Sequence, residues 1–122
     1  SKGVLKLEEE FPPIKLFSAT VLGMGGDGHT ASLFPGTESL DLGLDPYSSR
    51  NFISSVPSDA PHERVSMTAP RLLASKEIFI HIVGREKKEV LARALSGKDA
   101  HELPIRLVLN QSKVPVTIFW SP

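Results

Sequence analysis

The sequence predicts an α/β fold: an open, mostly parallel, Rossmann-like sheet with flanking helices. Three observations carry this. Short apolar strand candidates alternate with segments of helical periodicity, as in strand–helix–strand units. One of them, "EIFIHIVG" at Glu77–Gly84, is nearly continuous in β-branched residues, as a strand covered on both faces should be. A glycine-rich loop directly follows another apolar segment, and open α/β sheets bind ligands beyond the carboxyl ends of their strands.

The elements follow in order. Ser1–Pro13, "SKGVLKLEEEFPP", is charged and ends in two prolines; it reads as an exposed lead-in with a short helix. Phe17–Leu22 is a short buried strand that runs into the glycines. The stretch "GHTASLFPG" from Gly28 has a turn or two of helical potential before Pro35-Gly36 stops it. Glu38–Arg50 reads as a loop, Asn51–Val56 and Val65–Thr68 as short strands, and Ala69–Ser75 as a helical turn or two. In "REKKEVLARALSG", Arg85–Gly97, an apolar stripe of Val90, Leu91, Ala94 and Leu95 predicts a helix, with Gly97 where a C-cap belongs. Leu103–Asn110 is a second helix with Pro104 in its first turn, and Val114–Trp120 is the last strand. Only three or four sheet strands result. Residues 1–122 are therefore expected to form one partial domain, the C-terminal portion of a larger α/β domain.

Composition narrows the function classes. A chain of 122 residues is about one domain and can bury roughly two-thirds of its unfolded surface. Fourteen basic and fourteen acidic residues cancel, so net charge gives no reason to expect nucleic acid or an anionic membrane surface as a partner. The chain has no cysteine, which excludes disulfides, zinc–cysteine sites and thiol catalysis and suits a reducing, cytoplasmic setting. No apolar run approaches the ~18 residues of a spanning helix.

The chemistry concentrates in Leu22–Gly36, "LGMGGDGHTASLFPG". Gly23–Gly28 matches the dinucleotide pattern G-x-G-x-x-G. However, the following helix is cut by Pro35-Gly36, no second strand ends in an acid at the expected distance, and Asp27 would set a negative charge beside a pyrophosphate. The phosphate-loop pattern fails too, because His29 stands where a permanently charged lysine is required. A plain turn in which Asp27 caps a helix is a routine alternative. Four glycines within Gly23–Gly28 favour a backbone that approaches something closely.

"GMGGDGHTASLFPG" resembles the signature of the 6-phosphogluconolactonases, which share a superfamily with glucosamine-6-phosphate deaminase. "ERVSMTAPRLLASKEIFIHIVGREKK" is similar to that family's second block, an Arg-x-[ST]-x-Thr strand followed by a strand ending in Gly-x-x-Lys. "LPIRLVLNQ…VPVTIFWSP" resembles its C-terminal end. The deaminases carry an Asn-Glu pair where this chain has Ser32-Leu33-Phe34-Pro35. The family's N-terminal half, with its own phosphate-binding glycine loop, has no counterpart in these 122 residues.

The resemblance implies hydrolysis of a phosphorylated sugar lactone with no metal or redox cofactor. His29 is then the candidate general base, and Asp27 the group that orients it. The N–H groups of Gly25, Gly26 and Gly28 are candidates to hold the oxyanion or the phosphate. Arg64 and Lys87, the lysine of Gly84-x-x-Lys87, are candidate phosphate cations. Each has a plainer reading: Arg64 as a surface ion pair with Glu63, Lys87 as a solvated lysine. His81 is expected to be a buried core histidine, His62 to lie in a proline-rich loop where it could edge a pocket, His101 to be exposed, and Trp120 to pack. Two rivals remain: an amino-sugar phosphate deaminase or isomerase, and a sugar-phosphate-binding fragment without catalysis. An incomplete sheet also implies self-association or a complementing N-terminal half as partner.

Overall fold

The computed structural model describes residues 2–10, 15–57 and 62–122. In chain order the elements are α1 (Lys2–Glu10), β1 (Thr20–Leu22), α2 (Leu40–Leu44), β2 (Phe52–Ser55), β3 (Arg64–Met67), α3 (Ala69–Leu72), β4 (Ile78–Val83), α4 (Arg85–Leu95), α5 (Arg106–Leu109) and β5 (Val116–Ser121). Strands β1, β4 and β5 form a parallel sheet in the order β1-β4-β5. Strands β2 and β3 pair antiparallel as a separate hairpin, from Phe52 opposite Met67 to Ser55 opposite Arg64.

β4 is the central strand, and its alternation places the core. Ile78, Ile80 and Ile82 are at most 2% exposed. They share one apolar cluster with Val90, Leu91 and Ala94 of α4, with Leu103, Ile105 and Val108 around α5, and with Leu22 and Met24. The opposite face is different. Phe79 is half-buried, while His81 and Val83 are exposed. The expectation of a strand covered on both faces is thus corrected, and with it the buried His81. Both helices lie on the isoleucine side, and no described element covers the other. The strand's unbroken apolar run reflects a second apolar face that stands open.

The other differences have local causes. The helix expected after Gly28 does not form, because Ala31 adopts a left-handed backbone (φ 52°) and the chain turns back so that the Leu33 amide donates to Thr30 O at 3.0 Å. α2 lies inside the stretch read as a loop; Gly43 within it is buried against Leu33 and Ile53, where a Cβ would collide with both side chains. α1 is more than a lead-in. Val4 is 1% exposed, and the Glu8 carboxylate accepts the amides of Asn51 and Phe52 at 2.5 Å each, anchoring the start of β2. The prolines that end the lead-in lie outside the described residues. β1 is shorter than Phe17–Leu22: Phe17 pairs only with Ser75 as an isolated bridge, and regular pairing begins at Thr20.

α4 buries Val90, Leu91 and Ala94 as expected, but Leu95 is 57% exposed. Gly97 is not left-handed; its missing Cβ instead makes room for the Arg106 guanidinium. α5 starts later than expected, because residues 103–105 form turns in which Arg106 N–H reaches Leu103 O and Leu107 N–H reaches Pro104 O, both at 2.9 Å. β5 ends at Trp120-Ser121, where the Trp120 indole donates to Gly84 O at 2.8 Å.

Candidate active site

The glycine loop leaves the carboxyl end of β1, where a parallel sheet presents its ligand side. Buried Leu22 and Met24 anchor its entry in the core, and buried Thr30 anchors its exit, with Oγ1 donating to Gly23 O at 2.9 Å. Between these points the chain closes on itself. The Gly25 amide donates to His29 O and the Gly28 amide to Gly25 O, each at 3.0 Å.

Asp27 and His29 are brought together. One Asp27 oxygen, Oδ1, accepts the His29 amide at 3.1 Å and His29 Nδ1 at 2.5 Å. A carboxylate only accepts, so Nδ1 is the donor of this hydrogen bond and Nε2 is the ring nitrogen left to face outward. Partial burial works to raise the Asp27 pKa. The two hydrogen bonds from His29 and the attraction of that ring outweigh it, and hold the carboxyl below its ordinary range.

The ring sits where only glycine leaves space. A Cβ on Gly25 would fall on the His29 ring, on Cε1 and Nδ1. The ring's other contact is Phe34, with centroids 4.5 Å apart and planes tilted by 35°. Next in line is Arg64, whose guanidinium carbon lies 5.8 Å from the Phe34 centroid. A cleft of about 400 Å³ opens beside the pair, lined by His29, Gly25, Met24, Ala31 and Lys87 among others. Lys87 enters it from the first turn of α4.

The candidates from sequence therefore divide. His29, Asp27, Gly25 and Lys87 converge. Arg64 stands one ring away, beyond Phe34, and is not part of the cleft lining. The Gly25 and Gly28 amides, expected as donors to a ligand, each donate within the loop in this structure. Gly28 instead faces inward: its φ is +81°, and a Cβ there would lie 2.5 Å from Leu103 Cδ2. Among the described residues the Gly26 amide has no acceptor, and Glu86 Oε1 lies near this glycine, 3.2 Å from where a Cβ would stand. Phe34 and Ala31 were not singled out as site residues, although both lie within the quoted motif. His62 is exposed. His101 is exposed and bonded to Asp41 in α2, away from the loop. Among the described residues, no three His, Asp or Glu side chains are grouped to hold a metal ion, and no helix is long and apolar enough to cross a membrane.

The parallel sheet with its helices, carrying a carboxylate-bonded imidazole beyond β1 and a lysine in the first turn of α4, defines an α/β protein with its polar cleft at the carboxyl ends of the strands. Residues 4–120 match the family of glucosamine-6-phosphate isomerases/6-phosphogluconolactonase, and the chain belongs to it. It is 39% identical over 118 residues to a 6-phosphogluconolactonase of Pseudomonas putida, covering 97% of this chain and 48% of that protein. It is 43% identical over 102 residues to one of Rhizobium meliloti, covering 84% of this chain and 44% of that protein. A solved 6-phosphogluconolactonase from Shewanella baltica OS155 superposes with a TM-score of 0.87 at 39% identity, over 99% of this chain and 50% of the other. The chain thus spans about half the length of the relatives it matches.

Proposed function

We propose that the chain supplies the histidine half of a 6-phosphogluconolactonase, which hydrolyses 6-phospho-D-glucono-1,5-lactone to 6-phosphogluconate in the pentose phosphate pathway, in the cytoplasm. The observation that carries this reading is the Asp27–His29 pair, with Nδ1 bonded to the carboxylate and the ring beside a cleft that Lys87 enters. The names of the relatives support it.

The geometry supports the following course for the reaction. His29 Nε2 takes a proton from water as the water oxygen bonds to the lactone carbonyl carbon. The carbonyl electrons move to oxygen, and the Gly26 amide is the loop donor left to meet that oxyanion. The tetrahedral intermediate collapses, the bond from carbonyl carbon to ring oxygen breaks, and the imidazolium returns its proton to the departing oxygen. Asp27 stabilises the imidazolium while it lasts. Lys87 holds the phosphate at the start of α4. Arg64, held along Phe34, is the second cation for the same group.

The half-length match favours one addition. A further α/β segment, the family's other half, docks along the free edge of β1 and over the bare sheet face and completes the site. The assay that tests the function sets lactone hydrolysis, corrected for the spontaneous reaction, against ammonia release from glucosamine 6-phosphate in the complete protein. Lactone turnover without ammonia is expected. Ammonia release would move the protein to the deaminase branch, and binding of 6-phosphogluconate without either reaction would make it a sugar-phosphate-binding protein.

A further inference from the structure

The histidine loop rests on a platform, and the platform is held by a buried cation. Gly28 O accepts the Ile105 amide at 2.9 Å, and Gly28 lies against Leu103 so closely that no Cβ would fit. The turn at 103–106 is therefore the seat of the loop that ends in His29. Arg106 fixes that turn while only 4% exposed. Its Nε donates to Ala94 O at 3.0 Å, Nη2 to Arg93 O at 2.9 Å, and Nη1 to Asp99 O and Glu102 Oε1 at 3.0 Å each. Ala94 and Arg93 form the last turn of α4, the helix whose first turn carries Lys87.

An apolar side chain would fill this space without desolvating a charge, so packing alone does not explain an arginine here. Only the guanidinium fork reaches carbonyls from two separate segments at once. We propose that Arg106 is a positioning residue for His29. By locking the 103–106 turn to the end of α4, it fixes the loop that holds the imidazole relative to the helix that holds the lysine. Arg106 itself is not part of the cleft lining. The consequence for turnover rests on the reading of His29 given above; the geometric coupling does not.

The test is nuclear magnetic resonance on the complete protein, with two signals: the proton on His29 Nδ1, held by Asp27, and the exchange rate of the Ile105 amide, held by Gly28. In Arg106→Gln the Nδ1 proton signal is expected to broaden or vanish, and Ile105 exchange to rise about tenfold or more. The amides of Ile80 and Ile82 should stay protected. Arg106→Lys should recover only part, because an ammonium cannot span both segments. Gly97→Ala keeps the arginine but places a methyl on its guanidinium, so it should reproduce the Arg106→Gln pattern. It also decides the matter if Arg106→Gln does not fold. Unchanged His29 and Ile105 signals in Gly97→Ala overturn the proposal. If the signals change in a protein without lactonase activity, the functional reading fails and the positioning role stands. If they are unchanged in an active enzyme, the reverse holds.

Discussion

At His29 the decisive neighbour is a residue with no side chain. The ring fills the space that a Cβ on Gly25 would take, and its Nδ1 is tied to Asp27. If Nε2 is the base, His29→Asn should lower kcat by ~10²–10⁴-fold with little change in substrate binding. Gly25→Ala should give a loss of the same kind by displacing an intact imidazole. Steady-state kinetics corrected for spontaneous lactone opening check both, and an unaltered kcat in His29→Asn removes that residue from the mechanism. Asp27 makes a separate statement about stability. Its folded pKa is depressed, so its contribution is present above the unfolded carboxylate pKa and is lost as pH falls through the folded value. The side chain is half-exposed, so the effect is small. Denaturant titrations of wild type and Asp27→Asn should differ near neutrality and converge in acid. The pair was legible in the sequence because two polar side chains stand among glycines after an apolar strand. Phe34 was not, since a ring packed on the imidazole leaves no mark beyond being aromatic.

Each element gave up its identity in proportion to how local its cause was. α4 and β4 are set by periodicity and were read nearly to the residue. α2 was missed because a glycine and a nearby proline spoke for a loop, while the reason for Gly43 lies in Leu33 and Ile53, distant in sequence. The same holds for Leu103, Ile105 and Arg106, whose work beneath the histidine loop is a contact between separate segments. α4 carries the next prediction. Its first turn delivers Lys87 to the cleft, where the proposed phosphate would meet both the ammonium and the helix N-terminus. Lys87→Ala should weaken 6-phosphogluconate on the order of 10–150-fold, and unphosphorylated gluconate far less, if one charge-assisted hydrogen bond is lost. Calorimetric titration of both ligands measures this. Equal losses would show that the lysine acts through folding or the general field.

Among the described residues the sheet is covered on one side only. Parallel sheets are normally covered on both faces, yet here Val21 is 71%, Phe119 54% and Val83 52% exposed. Phe79 and Phe119 meet on the same bare face, with ring centroids 6.0 Å apart. Among the described residues no strand pairs with the outer edge of β1 beside them. Apolar edges recruit other chains. The 122-residue chain made alone should therefore self-associate, and its lactonase activity should lie far below that of a full-length relative. Sedimentation velocity beside the lactone assay tests this, and Phe119→Lys should reduce the associated fraction. A well-folded monomer with full activity would show that the other half is dispensable. The low strand count was legible in the sequence, but not which face stood open, because β4 carries apolar side chains on both sides.

Trp120 gives the molecule an optical handle. It is the chain's one tryptophan. Its indole is pinned to Gly84 O, and the Lys88 ammonium stands 4.3 Å from the ring centroid. Gly84 and Lys88 bracket the turn that bears Lys87. If Lys87 binds the phosphate, as proposed, an anion arriving there alters the field across the indole and the pull on Lys88. Intrinsic fluorescence thus reports ligand arrival at this corner without a label, and, with no second tryptophan in the chain, without background from elsewhere.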